Sequence, residues 1–185
     1  AAVCTQILID DFGAEVVINT GIAGSLNADI NIGDLVISTD LVHHDMNAVA
    51  FGYPVGQIPQ METFSFKSDE ALRKLAVQAC RDVNPDIEVF EGRIASGDQF
   101  VADQGVKDEI VKQFDAYAVE MEGAAIAQAA YLNNVPFLVV RAISDKADGS
   151  AEVDYPTFEA LRQDDTSHPE SDPGLIVTAH SSREQ

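Results

Sequence analysis

Tryptophan is absent from this chain of 185 residues, cysteine occurs twice, and Lys and Arg together number only 11. Each shortage closes off a class of function. Cys4 and Cys80 stand far apart with no C-x-x-C spacing, so neither a disulfide framework nor a zinc site is expected. Free thiols in that number suit a reducing compartment, and the cytoplasm is the expected setting. Against 31 acidic residues the 11 basic ones leave a formal net charge of −20. A chain so poor in clustered cations is not expected to grip a nucleic-acid backbone or an anionic membrane surface. No apolar run approaches the roughly 20 residues of a membrane span, and no basic stretch leads into an apolar one as in a secretory signal. What remains is a globular composition, 46% hydrophobic with its acid scattered rather than blocked, and a length that suits one domain.

The chain opens without Met, directly into Ala1 to Ile9, an apolar-periodic run that reads as a helix already under way, so the start of the domain is expected to lie upstream. Gly13 is the expected stop, and Val16-Val17-Ile18 a short buried strand. Asn19 to Ser25 reads as a Gly-punctuated turn at that strand's carboxyl end, where open α/β sheets place ligands. Leu35 to Val42 is a second strand. Gly52, Pro54, Gly56 and Pro59 punctuate a long loop between Met46 and Met61, and loops of that length are usually functional or interfacial. Ser68 is the expected cap of a helix with Leu72, Leu75, Ala76 and Ala79 on its apolar face, ended by Asn84-Pro85. Ile87 to Ala95 reads as strand, Val106 to Phe114 as helix, Tyr117 to Glu122 as a strand entering the Ala-rich helix Gly123 to Tyr131, and Phe137 to Ile143 as a buried strand interrupted only by Arg141. Strands apolar on both faces that alternate with helices predict a single α/β domain, its mostly parallel sheet covered on both sides. From Gln163 to Gly174 the period is lost, so the domain is expected to span 1–158 and residues 159–185 to form an atypical, poorly ordered tail.

Two carboxylates stand where such a sheet carries its chemistry. Glu122 lies at a strand-to-helix junction and Asp145 at the end of the Phe137 to Ile143 strand, so both are expected in one crevice. They are either helix caps or the pair that cleaves a bond through an oxocarbenium-like sugar, one protonating the leaving group and the other steadying charge. Arg141 needs a carboxylate partner, Glu120 or Glu122, because a lone buried guanidinium is very costly. The Gly21-Ile22-Ala23-Gly24 segment is an ordinary turn or a rest for a ligand, but neither a Walker loop nor G-x-G-x-x-G. His43-His44-Asp45 is not expected to hold a metal, since adjacent strand residues point to opposite faces and no third ligand has the spacing. Phe100 is either core or a stacking platform, and Phe51, Tyr53 and Pro59 either cover the core or meet another subunit.

Taken in order, Val17-Ile18-Asn19-Thr20-Gly21-Ile22-Ala23-Gly24-Ser25, Ile32-Gly33-Asp34-Leu35-Val36, His44-Asp45, Ala50-Phe51-Gly52-Tyr53, Ser96-Gly97-Asp98, Ala118-Val119-Glu120-Met121-Glu122-Gly123-Ala124-Ala125 and Val139-Val140-Arg141-Ala142-Ile143-Ser144-Asp145 resemble the methylthioadenosine/S-adenosylhomocysteine nucleosidases. That family belongs to the purine nucleoside phosphorylase superfamily. The resemblance implies one α/β domain around a mixed, partly barrel-like sheet. It implies hydrolysis of the N-glycosidic bond of 5'-thio-substituted adenosines to adenine and a thioribose, without metal or cofactor. Asp145 would be the acid that protonates adenine, supported by Ser144. Glu122 and Met121 would line the ribose with Glu120 and Arg141 nearby, and Phe100 would stack on the base while Val101 reads its edge. Ala23 and Gly24 would border the ribose and the attacking water, and Tyr155 would cover the thio side. Phe51, Tyr53 and Pro59 match residues that reach into a neighbouring subunit's site, which implies a homodimer. The family's opening strand, with its water-activating Glu, has no counterpart here, Ile22 replaces a common hydroxyl residue, and the sequence after Phe158 departs from the family's closing helix. A phosphorolytic relative would need a cationic phosphate pocket, and a non-catalytic adenine-binding remnant is the alternative outside enzymes.

Overall fold

The computed structural model describes residues 1–151 and the two-residue strand Ile176–Val177. The apolar runs become β1 (Val17–Ser25), β2 (Leu35–His43), β3 (Phe66–Lys67), β4 (Val89–Ser96), β5 (Ala118–Glu120), β6 (Phe137–Asp145) and β7 (Ile176–Val177). Between them lie α1 (Ala2–Asp10), α2 (Glu70–Val83), α3 (Gln104–Phe114) and α4 (Gly123–Leu132). The expected boundary after Phe158, Tyr155 and nearly all of the expected tail lie outside the described residues.

Strands β2, β4, β5, β1 and β6 pair in that order, and β6 pairs back to β2, which closes a mixed, barrel-like ring. The long ladders are parallel: β1 with β6 from Val17 opposite Phe137 to Gly24 opposite Asp145, and β2 with β4 from Leu35 opposite Val89 to His43 opposite Ser96. Antiparallel pairings are short, and β3 and β7 add to β2 and β1. Asn19 to Ser25, expected as a turn, is strand: Gly21 and Gly24 take part in the ladder with β6, and the chain bends instead through a register shift between Ala23 and Gly24. The glycines signalled a turn locally, but the partner strand about 120 residues away decides the backbone.

α4 lies against β2, β3, β4 and β6, and its Ala124, Ala127 and Ala130 are fully buried. Small side chains all round let the helix approach the strands closely, and α1 packs on it from outside. α2 covers β2, β4 and β6 with Leu72, Ala76, Val77 and Cys80 against Ile37, Val89 and Leu138. Its cap is Asp69, which accepts from the Leu72 N–H at 2.9 Å, rather than Ser68. Leu75 and Ala79, expected on the apolar face, are exposed: the face that packs on the sheet is Leu72, Ala76, Val77 and Cys80. α3 buries Ile110 and Phe114 beside Val42, Ala95, Val101 and Val119. Arg93 of β4 fastens that side, with a fork onto Asp40 (2.7 Å at the shortest) and a further bond to the Phe114 carbonyl at 2.9 Å.

Closure of the ring rests partly on one hydroxyl. The β2–β6 ladder ends at Ile37 opposite Val140, and one step further the Val139 N–H donates to Ser38 Oγ at 3.0 Å instead of to a carbonyl. That oxygen also lies 2.6 Å from Ser68 Oγ, and Ser38 is fully buried. Ser38→Ala strands a buried amide at the seam, and is expected to lower the unfolding free energy by about 1–3 kcal/mol in urea titrations.

Candidate active site

The carboxyl ends of β1, β4, β5 and β6 converge on a cleft of about 470 Å³. Ile22, Ala23 and Gly24 of β1, Phe100, Val119 and Glu120 of β5, the junction residues Met121 and Glu122, and Ser144 and Asp145 of β6 line it. Glu122 and Asp145 therefore share one crevice, as the strand ends predicted. A small extension of about 30 Å³ continues from this cleft past Val101.

Asp145 is 2% exposed and firmly held. Ser144 Oγ donates to its Oδ2 at 2.8 Å and the Ala147 N–H donates to Oδ1 at 2.8 Å. Ala147 itself sits in the left-handed region at φ 51°, uncommon for a residue with a side chain, and this conformation aims its amide back at Asp145. Gly24 opposite is obligatory for space. A Cβ there would stand 2.7 Å from Asp145 Oδ1 and 2.8 Å from Ala147 Cβ. Across the cleft Glu122 is exposed at the N-terminus of α4, and its side chain makes no capping bond, which argues against the cap reading for this residue. Phe100 stands half-exposed on the cleft wall.

Glu120 is different in kind. It is buried and pairs with Arg141 of β6, whose Nη2 lies 2.6 Å from Glu120 Oε2. Arg141 is opposite Gly21 in the β1–β6 register, and the guanidinium lies over that glycine to reach the next strand, with Nη1 3.2 Å from where a Cβ would be. It also donates to Asn19 Oδ1 at 2.5 Å. The resemblance implied Arg141 beside the ligand, but the structure sets it behind Glu120, and it does not line the cleft. Of the two partners open to it, Glu120 is the one taken.

Ser96, Asn19 and Val119 were not singled out from sequence. Ser96 Oγ donates to Glu120 Oε1 and accepts from the Ala124 N–H at 2.7 Å. A polar residue closing the strand after the apolar Ile94 and Ala95 was the available signal, but only the fold supplies its partners. Phe51, Tyr53 and Pro59 lie on the loop between β2 and β3, outside the cleft, and Phe51 is 83% exposed. The two adjacent histidines diverge: His43 Nε2 meets Gln128 Oε1 at 3.1 Å, whereas His44 is buried with its Nε2 unpartnered. Among the described residues no three His, Cys, Asp or Glu side chains gather as a metal site.

Known proteins share this fold. The model of the phosphorylase superfamily matches residues 1–170. A 5'-methylthioadenosine/S-adenosylhomocysteine nucleosidase of Anoxybacillus flavithermus is 46% identical, across 85% of this chain and 68% of the relative. The chain belongs to that nucleosidase family. The Treponema pallidum member is 42% identical across 83% of this chain and 64% of its own length, so the chain spans about two thirds of the curated relatives it matches. Among solved structures, the family member from Neisseria meningitidis in complex with methylthio-immucillin-A aligns with a TM-score of 0.81 at 44% identity, across 85% of this chain and 68% of that one. A futalosine hydrolase of Helicobacter pylori aligns with a TM-score of 0.80 at 39% identity, across 85% and 66%. The shared fold is the mixed, partly closed sheet of this superfamily. Among the described residues no helix is long and apolar enough to cross a membrane.

Two measurements follow from the site's packing. Gly24→Ala pushes a methyl into Asp145 and Ala147, and is expected to cost about 1–3 kcal/mol of unfolding free energy in denaturant titrations. Burial holds His44 below its ordinary value of 6.5, opposed by the Asp45 and Glu120 charges and reinforced by His43. The unfolded chain takes up this proton near pH 6.5 while the folded chain resists it, so stability falls as pH drops through that window. His44→Gln is expected to flatten the loss between pH 7 and pH 5, read from thermal midpoints of both proteins across the series.

Proposed function

We propose that the chain hydrolyses the N-glycosidic bond of 5'-methylthioadenosine and S-adenosylhomocysteine, releasing adenine and the thioribose, a reaction of methionine salvage and removal of a methyl-cycle by-product. The observation that carries this reading is the composition of the cleft wall: the buried, twice hydrogen-bonded Asp145 shares the cleft with the uncapped carboxylate of Glu122 and the ring of Phe100, and among the described residues no cationic side chain lines it. As the C1'–N9 bond breaks, its electron pair moves to the purine, and Asp145 delivers a proton to N7 so that the base leaves neutral. Positive charge develops on the ribose, which Met121 lines and whose hydroxyls Glu122 holds while its carboxylate steadies the oxocarbenium. Water adds to C1' and gives its proton to solvent, from which Asp145 is reloaded.

Ser144 fixes Asp145, Phe100 stacks on the base, and backbone groups of Val101 read its edge, favouring an amino-substituted purine over an oxo one. Ala23 and Gly24 border the ribose and the water. Phe51, Tyr53 and Pro59 enter the cleft of a second copy in a homodimer, and the exposure of Phe51 suits that role. The reaction so written calls on no metal or redox cofactor, and cytoplasmic placement follows from its substrates. Phosphorolysis is disfavoured because, among the described residues, no Lys or Arg side chain lines the cleft to hold phosphate. One observation favours a second substrate: the likeness to the Helicobacter pylori futalosine hydrolase, so futalosine is included in the test.

Product analysis of the purified chain with methylthioadenosine, S-adenosylhomocysteine and futalosine, each with and without phosphate, decides among these. Adenine is expected from the two thio-adenosines at the same rate in both buffers, and Asp145→Asn is expected to slow release by about 10²- to 10⁴-fold. Phosphate-dependent release would replace hydrolysis by phosphorolysis. Thermal stabilisation by adenine without turnover would leave an adenine-binding protein.

A further inference from the structure

Glu120 lines the cleft, yet its carboxylate has no capacity left for a ligand. It accepts from Ser96 Oγ, from the Gly123 N–H at 2.8 and 3.0 Å, from the Glu122 N–H at 3.2 Å, and from Arg141 Nη2 and Nε at 2.6 and 3.2 Å. Every one of these donors is protein, and two are backbone amides of the turn that carries Met121 and Glu122. Ser96 completes the frame from β4, since the same hydroxyl that donates to Glu120 accepts the Ala124 N–H at 2.7 Å, another amide of the first turn of α4 that has no helical partner. Three successive amides after Met121, those of Glu122, Gly123 and Ala124, are thereby fixed by side chains from β4 and β5. Glu122, by contrast, is exposed and makes no capping bond.

We propose that Ser96 and Glu120 are positioning residues: they clamp the β5–α4 turn so that Met121 and Glu122 face the ribose, and Glu120 itself takes no part in binding. This rests on the nucleosidase reading and deepens it, because it divides the cleft into two halves whose facing residues are fixed by different side chains. The purine side hangs on β6 through Asp145, with Ser144 and Ala147. The ribose side hangs on the Ser96–Glu120 clamp. Loosening the clamp lets the turn drift, and only ligands that carry the sugar sense it.

Affinities measured in an Asp145→Asn background, where cleavage is suppressed, test this directly. Calorimetric titration with adenine and with methylthioadenosine gives one Kd for the base alone and one for base plus sugar. Adding Ser96→Ala is expected to weaken methylthioadenosine about tenfold and adenine by less than about twofold, the loss of one hydrogen bond to a charged group being felt on the sugar side alone. Ser96→Thr, which retains the hydroxyl, is expected to restore methylthioadenosine to within about threefold. Equal weakening of both ligands, or no change in either, overturns the clamp while the nucleosidase reading stands. Should Ser96→Ala fail to fold, Ser96→Cys, of similar volume and weaker donor strength, carries the same comparison with the same expected and contrary results. A chain that binds neither ligand in the Asp145→Asn background, or that still cleaves there, overturns the nucleosidase reading and this inference with it.

Discussion

The buried ion pair between Arg141 and Glu120 organises everything near the cleft. Two full charges, each about 2% exposed, lie inside a barrel-like ring of apolar strands. Such a pair is weak evidence for stability, since desolvation consumes much of the attraction, but removing one partner leaves the other charge uncompensated at great cost. Its structural effect is positional. The guanidinium of β6 crosses β1 at Gly21 and reaches β5, so three strands are held at one level by a single contact that also involves Asn19. The carboxylate in turn gathers the amides at the start of α4. The charge that could have been a liability in the core becomes the reason that the strand ends and the helix start meet at a fixed spacing.

Around that anchor the packing is graded by side-chain size. α4 presents alanines to the strands and lies close, whereas α2 and α3 stand on larger aliphatic and aromatic contacts and leave room for the strand ends to open. The cleft forms where the close-packed and the wide-packed sides meet. It needs no separate domain, and its walls are strand ends and turn residues whose positions follow from ladder registers.

Most of the fold was legible in the sequence because its elements are locally consistent: apolar runs bounded by polar punctuation became strands, and period-3.6 stretches became helices. The exceptions share a cause. Asn19 to Ser25 carries turn chemistry, but β6 recruits it into a ladder from about 120 residues away. Asp69 rather than Ser68 caps α2 because Ser68 is drawn to Ser38 on β2. For the candidate site, Glu122 and Asp145 were legible as strand-end residues while Phe100 stood open between core and stacking platform, and the structure brings all three to one cleft. Ser96 and Asn19 were not, since a small polar residue at a strand end or within a strand gains meaning only from partners that the chain brings from elsewhere.

Gly21 and Arg141 also impose a rule on how this chain tolerates change. A Cβ at 21 would stand 3.2 Å from Arg141 Nη1, so any side chain there requires the guanidinium to give by a few tenths of an ångström and the two positions are coupled. Exchanging Arg141 and Glu120 together for a well-packed apolar pair would lift that conflict, and position 21 would then accept the β-branched residues that strands favour. What position 21 accepts is therefore set from β6, by whether the guanidinium above it stays in place.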